Sequence, residues 1–275
     1  MWREIGMIGR DKFLTDEVHP RILSSKPPFI LVGSRGIGKT AILEWAYDNA
    51  SGTKALISCS MTMRECLVAI AKQWGLRVYR TKKEEEEEID VSRAKVDELE
   101  KVINGTTEGS LIFIDDIHEA KPDFINHLRA WRERFIIFVA GTPPFKREKL
   151  VNALHGLSEF EITALNKDNR QTLAVKVCEH LSSDKVPSDI ANNCQGFPAR
   201  IVALVKGDTS ARGLQRSADE EFDISPIFVI GLILLVAMRY IGRGLDDTAM
   251  IIVGGLATIA LILFRPMFSA GKKKQ

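Results

Sequence analysis

The sequence predicts an α/β protein: a parallel sheet sandwiched by helices, with a smaller helical segment after it and two long apolar runs after that. Three observations predict the sheet. Phe29-Ile30-Leu31-Val32, Leu111-Ile112-Phe113-Ile114 and Phe135 to Ala140 are short, unbroken apolar runs, the pattern of strands buried on both faces. Helical patterns alternate with them along the chain. Two of the runs end on chemistry-bearing residues, glycines with Lys39 and Thr40 after the first and Asp115-Asp116 after the second. The C-terminal ends of parallel strands are where such a sheet places its ligand. Composition agrees with a packed core, since 45% of the 275 residues are hydrophobic and 27% charged.

Gly33-Ser34-Arg35-Gly36-Ile37-Gly38-Lys39-Thr40 fits the pattern G-x-x-x-x-G-K-[ST]. An apolar strand precedes it and a helical pattern, Ala41 to Tyr47, follows it. The residue types suit phosphate. Glycines let the backbone curl around a polyphosphate with its N–H groups turned inward. The start of the next helix adds positive partial charge. Lys39 is expected to reach the β- and γ-phosphates of ATP, and the Thr40 hydroxyl to ligate Mg²⁺. A glycine-rich turn without a ligand is the alternative for the same residues.

The other elements follow in order. Ser24-Ser25-Lys26-Pro27-Pro28 punctuates the entry to the first strand. Lys54 to Cys59 reads as a strand, and Met63 to Trp74 as a helix with Leu67, Ile70, Ala71 and Trp74 on one face. Lys82-Lys83 and Glu84 to Glu88 form a charge run, expected as a solvated loop or the start of a helix. Val91 to Ile103 has the spacing of one amphipathic helix, ended by Asn104-Gly105. Pro122 to Arg134 and Glu148 to Leu154 read as helices, and Phe160-Glu161-Ile162 as a short strand. Asn166 to Leu181, Ser188 to Asn193 and Ala199 to Val205 read as three helices, and Gly207 to Asp223 as a polar linker.

From Met7 to Val205 these motifs resemble P-loop NTPases of the AAA+/STAND group. The resemblance implies an AAA+-like sheet with a helical lid, and the remaining site residues come with it. Leu111 to Asp116 looks like a Walker B motif, so Asp115 is expected to hold Mg²⁺. Asp116 takes the position where many relatives carry the glutamate that polarises the attacking water, and Glu119 lies close by. Asp is one methylene shorter, and paired Asp-Asp is common in the STAND branch. Thr142 occupies the sensor 1 position; capping the turn is its other reading. Ile8, Gly9 and Arg10 match a segment that packs beside the base and ribose, or else form a loop capped by Asp11. Pro198 matches the G-x-P element of the lid. Arg200, one residue later than the sensor 2 arginine of several relatives, reaches the phosphates or is a surface charge. Relatives that work as rings end the helix before the last strand on an arginine; here His155 follows Leu154.

Pro226 to Met238 and Thr248 to Phe264 are the most apolar runs of the chain. Each is at or below the ~17 residues that cross a bilayer core, and flanking residues extend it. Arg239, Tyr240 and Arg265 suit the interfaces, and Lys272-Lys273-Lys274 suits the cytoplasmic side. A transmembrane hairpin is expected, with a buried or interfacial hairpin as the alternative. The division expected is 1–163 ATPase core, 164–206 lid, 207–223 linker, 224–268 hairpin and 269–275 basic tail. Membrane lipid, a second copy of the chain and an unidentified protein are the partners considered, with the ATPase part and both termini cytoplasmic. The net charge of +2 gives no case for a nucleic-acid partner. Met1-Trp2-Arg3-Glu4 has no apolar stretch of the kind a signal peptide needs, and Cys59, Cys66, Cys178 and Cys194 have the spacing of buried thiols rather than a metal site. The function implied is a slow nucleotide switch of STAND type, with a membrane-linked AAA+ motor or DNA handling at the membrane as alternatives.

Overall fold

Five strands form one parallel sheet in the order β2-β5-β6-β1-β7. The computed structural model describes residues 2–23, 26–82 and 85–207. The chain divides into two units, Met1–Ala218 and Asp219–Gln275, and the described residues all belong to the first. The linker from residue 208 onward, the hairpin and the basic tail lie outside the described residues. Among the described residues no helix is long and apolar enough to cross a membrane.

The chain opens with α1 (Trp2–Ile5). A second helical stretch runs through α2 (Asp11–Phe13), a π-helical turn (Leu14–Val18) and α3 (His19–Ile22). Then come β1 (Phe29–Val32), α4 (Lys39–Asn49), β2 (Lys54–Ser58) and α5 (Met63–Gln73). Thr62 starts α5 with a reciprocal cap: its hydroxyl accepts from the Glu65 N–H, and the Glu65 carboxylate accepts from the Thr62 N–H at 2.7 Å. A hairpin, β3 (Val78–Lys82) and β4 (Glu85–Ile89), leads to α6 (Val96–Asn104). The second half of the sheet is β5 (Leu111–Asp115), α7 (Pro122–Arg132), β6 (Ile136–Gly141), α8 (Glu148–Leu154) and β7 (Ser158–Glu161). Three helices close the described chain: α9 (Lys167–His180), α10 (Pro187–Asn193) and α11 (Pro198–Lys206).

Alternate strand residues feed two cores, as the pleat requires. Ile30, Val32, Ile112, Ile114, Ile137 and Val139 face α5–α8. Phe29, Leu31, Leu111, Phe113, Phe138 and Ala140 face the N-terminal helices and α4. Rings tie the second core across strands: Phe138 lies 4.9 Å from both Phe29 and Phe113, and Tyr47 of α4 meets Phe113 edge-on at 5.7 Å. A third cluster joins α9–α11 to Ile5 of α1. All four cysteines are free and buried. Burial pushes the Cys59 thiol up, and that of Cys66 to about 11, so both stay protonated near neutral pH.

Two expectations need correction. The described part of the charge run is neither a loop nor a helix start: Lys82 ends β3, and Glu85 to Glu88 lie in β4 of an antiparallel pair. Val78 pairs with Ile89, Tyr79 with Glu88 and Arg80 with Glu87. A helix would stack these glutamates at repulsive i,i+4 spacing. The strand sets Glu87 opposite Arg80 and Glu85 opposite Lys82 instead, and Arg77 lies 3.8 Å from Glu88. The single helix expected over 91–103 is two pieces. A 3₁₀ turn, Val91–Arg93, capped by the Asp90 carboxylate, gives way to extended Ala94 and Lys95 before α6 begins. Ala94 is fully buried at the break, and the Glu98 carboxylate accepts the Lys95 N–H at 2.7 Å to start the second piece.

Candidate nucleotide site

The sheet order places β6 between β5 and β1, so the turns after these three strands meet at one end. Gly36 and Gly38 in the loop after β1 have φ of 79° and 104°, values that L side chains rarely adopt. At Gly36 a β-carbon would also come within 3.0 Å of the Ala199 methyl. The loop is pinned beneath by Ile37, buried in the ring-bearing core. Its backbone then opens α4 with Lys39 and Thr40 inside the first turn.

Lys39 draws the loop together. Its Nζ donates to the carbonyls of Gly33 at 2.7 Å and Ser34 at 2.9 Å, and to Thr142 Oγ1 at 3.0 Å. Burial lowers the lysine pKa, while Asp115 and Asp116 pull it back up. Asp115, at the end of β5, is buried and accepts from the Thr40 hydroxyl and from the Asp116 N–H, the latter at 2.9 Å. Burial nevertheless raises its pKa above the usual aspartate value. Asp116 turns the chain in a left-handed conformation, φ 52°, and its Oδ2 accepts from Ser58 Oγ at 3.3 Å. Such backbone strain in a non-glycine residue is held only where the surroundings over-determine it.

These groups form one end of a cavity of about 530 Å³, within the range of small-molecule sites. Arg35, Gly36, Gly38, Lys39 and Thr40 line it from the loop, and Asp115, Asp116 and Thr142 from the strand ends. Pro198 and Ala199 cover the loop from α11, and the Ala199 N–H donates to the Gly36 carbonyl at 3.2 Å. The far end is apolar, made by Trp2 and Ile5 of α1 with Leu173, Val177 and Val202. Gly33, Ser34 and Ile37 shape the loop without facing the cavity.

Other expected site residues lie elsewhere. Ile8, Gly9 and Arg10 do not line the cavity; Trp2, Ile5 and Gly6 hold that place. Gly9 serves packing, since a side chain there would sit 2.4 Å from Asn169 of α9. Arg10 donates to the Thr163 carbonyl, and Ile8 joins the cluster of α9–α11. Arg200 turns to Gln195, its Nη1 donating to Oε1 at 2.9 Å, and is also off the cavity wall. Glu119, noted only for its nearness to the acidic pair, does line the cavity, and among the lining residues missed in the sequence are the polar-tipped side chains of Trp2, Glu44 and His118. Trp2 Nε1 donates to Glu44 Oε2 at 2.6 Å, and His118 Nδ1 accepts from the Thr142 N–H at 3.4 Å. His118 carries the same signal as Glu119, closeness in sequence to the acidic pair on a short 3₁₀ turn, Ile117–Glu119.

The donor set fits a magnesium–nucleotide complex. Thr40 and Asp115 offer two hard oxygen ligands side by side, and Mg²⁺ characteristically takes few protein ligands, completing its shell with water and phosphate oxygens. Among the described residues no cluster of three or more His, Cys, Asp or Glu could hold a metal alone.

No protein-family model matches the sequence, and no curated protein matches it. Solved structures do resemble the fold. A RuvB point mutant from Thermotoga maritima superposes with a TM-score of 0.50 at 15% identity, over 72% of this chain and 61% of that one. A Walker-type ATPase of Pyrococcus abyssi gives 0.48 at 14% identity, over 86% and 80%. RuvB of Thermotoga maritima, a Holliday junction branch migration motor, gives 0.49 at 14%, over 86% and 76%. The chain thus spans less than two thirds of the RuvB mutant. What is shared at this identity is the fold, the parallel α/β sheet of P-loop ATPases.

Proposed function

We propose that this chain binds Mg·ATP at the cavity and hydrolyses it slowly, as a STAND-like nucleotide-dependent switch tethered to a membrane. One observation carries the nucleotide reading: Lys39, Thr40, Asp115, Asp116 and Thr142 converge at one end of a cavity roofed by α11. In this reading Lys39 and the loop N–H groups hold the β- and γ-phosphates. Thr40 and Asp115 hold Mg²⁺, which supplies charge neutralisation at the phosphates. Asp116 orients the attacking water and Thr142 marks the γ-phosphate. Helices α9–α11 act as a lid whose angle follows nucleotide state.

The switch is favoured over a ring motor by the arginines around α8. Arg132 donates to the Ala153 carbonyl and, at 2.8 Å, to the His155 carbonyl; Arg147 donates to the Ala120 carbonyl. These guanidinium groups serve their own chain's backbone. The membrane tether rests on the apolar runs over 226–238 and 248–264. It puts lipid among the partners and the ATPase part on the cytoplasmic side. Assembly with a second copy, or with an unidentified protein, remains part of the proposal.

Titration of the full chain with a fluorescent ATP analogue tests the reading. Lys39→Ala is expected to weaken binding by about ten- to a hundredfold, the worth of hydrogen bonds to a charged group. Asp116→Asn is expected to keep the affinity and slow turnover. Unchanged binding by Lys39→Ala would remove the nucleotide reading. Recovery of the full chain in the carbonate-soluble fraction would remove the membrane one.

A further inference from the structure

Hydrolysis of a γ-phosphate spreads negative charge over its oxygens and onto the bridging oxygen that leaves. A cation without a protein partner can turn to that charge without first breaking a bond, and one positioned there stabilises it. Lys39 is engaged by two carbonyls and Thr142. Arg200 is turned to Gln195, Arg10 to Thr163, and Arg132 and Arg147 to backbone carbonyls around α8. Arg35 differs from all of these. It is the one arginine on the cavity wall among the described residues, and it is exposed. No hydrogen bond or ion pair joins it to another described residue. It also directly precedes Gly36, whose carbonyl is tied to α11 through the Ala199 N–H at 3.2 Å.

Resting on the Mg·ATP reading above, we propose that Arg35 is a catalytic residue. It supplies from within the protomer the guanidinium that a ring ATPase takes from its neighbour. In the step it serves, the water oxygen bonds to the γ-phosphorus and the bond from phosphorus to the bridging oxygen breaks. That electron pair stays on ADP, and the water proton passes to the Asp116 carboxylate and on to the released phosphate. Arg35 exchanges no proton; it binds the γ-oxygens more tightly as their charge grows. The Gly36 carbonyl beside it accepts from the Ala199 N–H, so the loop that carries Arg35 lies directly under α11.

The test compares Mg·ATP and Mg·ADP affinities of the full chain, measured with fluorescent analogues, and single-turnover hydrolysis over a range of protein concentrations. Arg35→Ala is expected to lower ATP affinity about tenfold and to change ADP affinity less than twofold. Its single-turnover rate should fall by about a hundredfold or more. Arg35→Lys, which keeps the charge, is expected to recover part of both. The wild-type rate per protomer should not depend on protein concentration. Equal losses for ATP and ADP would overturn the proposal, because Arg35 would then support only the loop. So would an unchanged ATP-to-ADP affinity ratio, or a rate that climbs with concentration. Lys39→Ala in parallel separates the two levels: if it binds ATP normally the nucleotide reading fails, whereas a fault confined to the Arg35 arms leaves that reading standing.

Discussion

The two walls of the cavity are built differently. On one side, Asp115 and Thr142 stand at strand ends in the middle of a parallel sheet whose central strands are buried on both faces, and Lys39 opens the helix packed on it. Register and ring packing fix them, because a strand cannot shift without moving Phe29, Phe113 and Phe138 together. On the other side, α1 and α9–α11 share a small cluster of their own. They meet the sheet layer through Phe197, packed against the ring-bearing core, and through polar ties, part of them exposed: Trp2 to Glu44 at 2.6 Å, Arg3 to Asp48 at 2.8 Å, and Ala199 to Gly36 at 3.2 Å. Such ties contribute little each and open readily. The groups that need exact geometry therefore stand on the wall built on the sheet core, and the wall with the smaller cluster carries the cover.

The largest effect expected from this difference comes from paired core substitutions. Phe113→Ala removes a fully buried ring from between Phe138 and Tyr47 and is expected to cost about 3–5 kcal/mol in chemical denaturation. Ile5→Ala, at the joint between α1 and α9–α11, is expected to cost about 2 kcal/mol. It should also speed hydrogen exchange in α9 and leave β5 protected. Equal acceleration in α9 and β5 would mean the two walls open as one, and the comparison would fail.

A smaller effect concerns the strain that the rigid wall holds. Burial raises the Asp115 pKa, so the folded protein disfavours the carboxylate. With the folded pKa above the unfolded value, the protonated group favours folding at low pH. That advantage is lost as pH rises through the raised value, leaving a net cost at neutral pH. Asp115→Asn is accordingly expected to raise the melting temperature of the metal-free protein at neutral pH while weakening Mg²⁺ binding. A lower melting temperature would mean that the bonds from Thr40 and the Asp116 N–H outweigh the burial.

The same contrast explains which parts are legible in the sequence. β1, β5 and β6 are buried on both faces, so they print unbroken apolar runs that need no knowledge of their neighbours. The loop from Gly33 to Thr40 is legible because its backbone demands glycines at positive φ, and Lys39 and Thr40 complete a pattern of fixed spacing. The other wall prints no such pattern. Trp2 reaches the cavity only because α1 lands between α4 and α9, and nothing in a charged tetrapeptide announces that landing. Ile8–Arg10 and Arg200 take their expected roles from their offset along the chain. Their positions are decided in space instead, by the fit of Gly9 under Asn169 and by free acceptors at Thr163 and Gln195. The glutamates of β4 mislead for a related reason, since a strand's preference depends on what lies opposite it.

The hairpin supplies the smallest effect, and with it a baseline for polar ties remote from the cavity. Arg80 grips Glu98 of α6 through two bonds, Nε to Oε1 at 2.6 Å and Nη2 to Oε2 at 2.8 Å. That guanidinium, helped by the Lys95 N–H, holds the Glu98 carboxyl down to about 2. A depressed carboxylate contributes stability that is present above its unfolded value and is lost as pH falls towards 2. Arg80→Ala should therefore produce a slight destabilisation at neutral pH and low salt. The difference should shrink in high salt, because the pair is partly exposed. It should also fade on acidification, as Glu98 titrates in wild type and variant alike. ATP-analogue affinity should not change, since neither residue borders the cavity. Trp2→Phe provides the contrast, breaking a tie of similar chemistry that does border it. If Trp2→Phe, like Arg80→Ala, left hydrogen exchange in α9 as it was, polar ties would not be what holds that wall in place, and its apolar contacts around Ile5 and Phe197 would have to carry it.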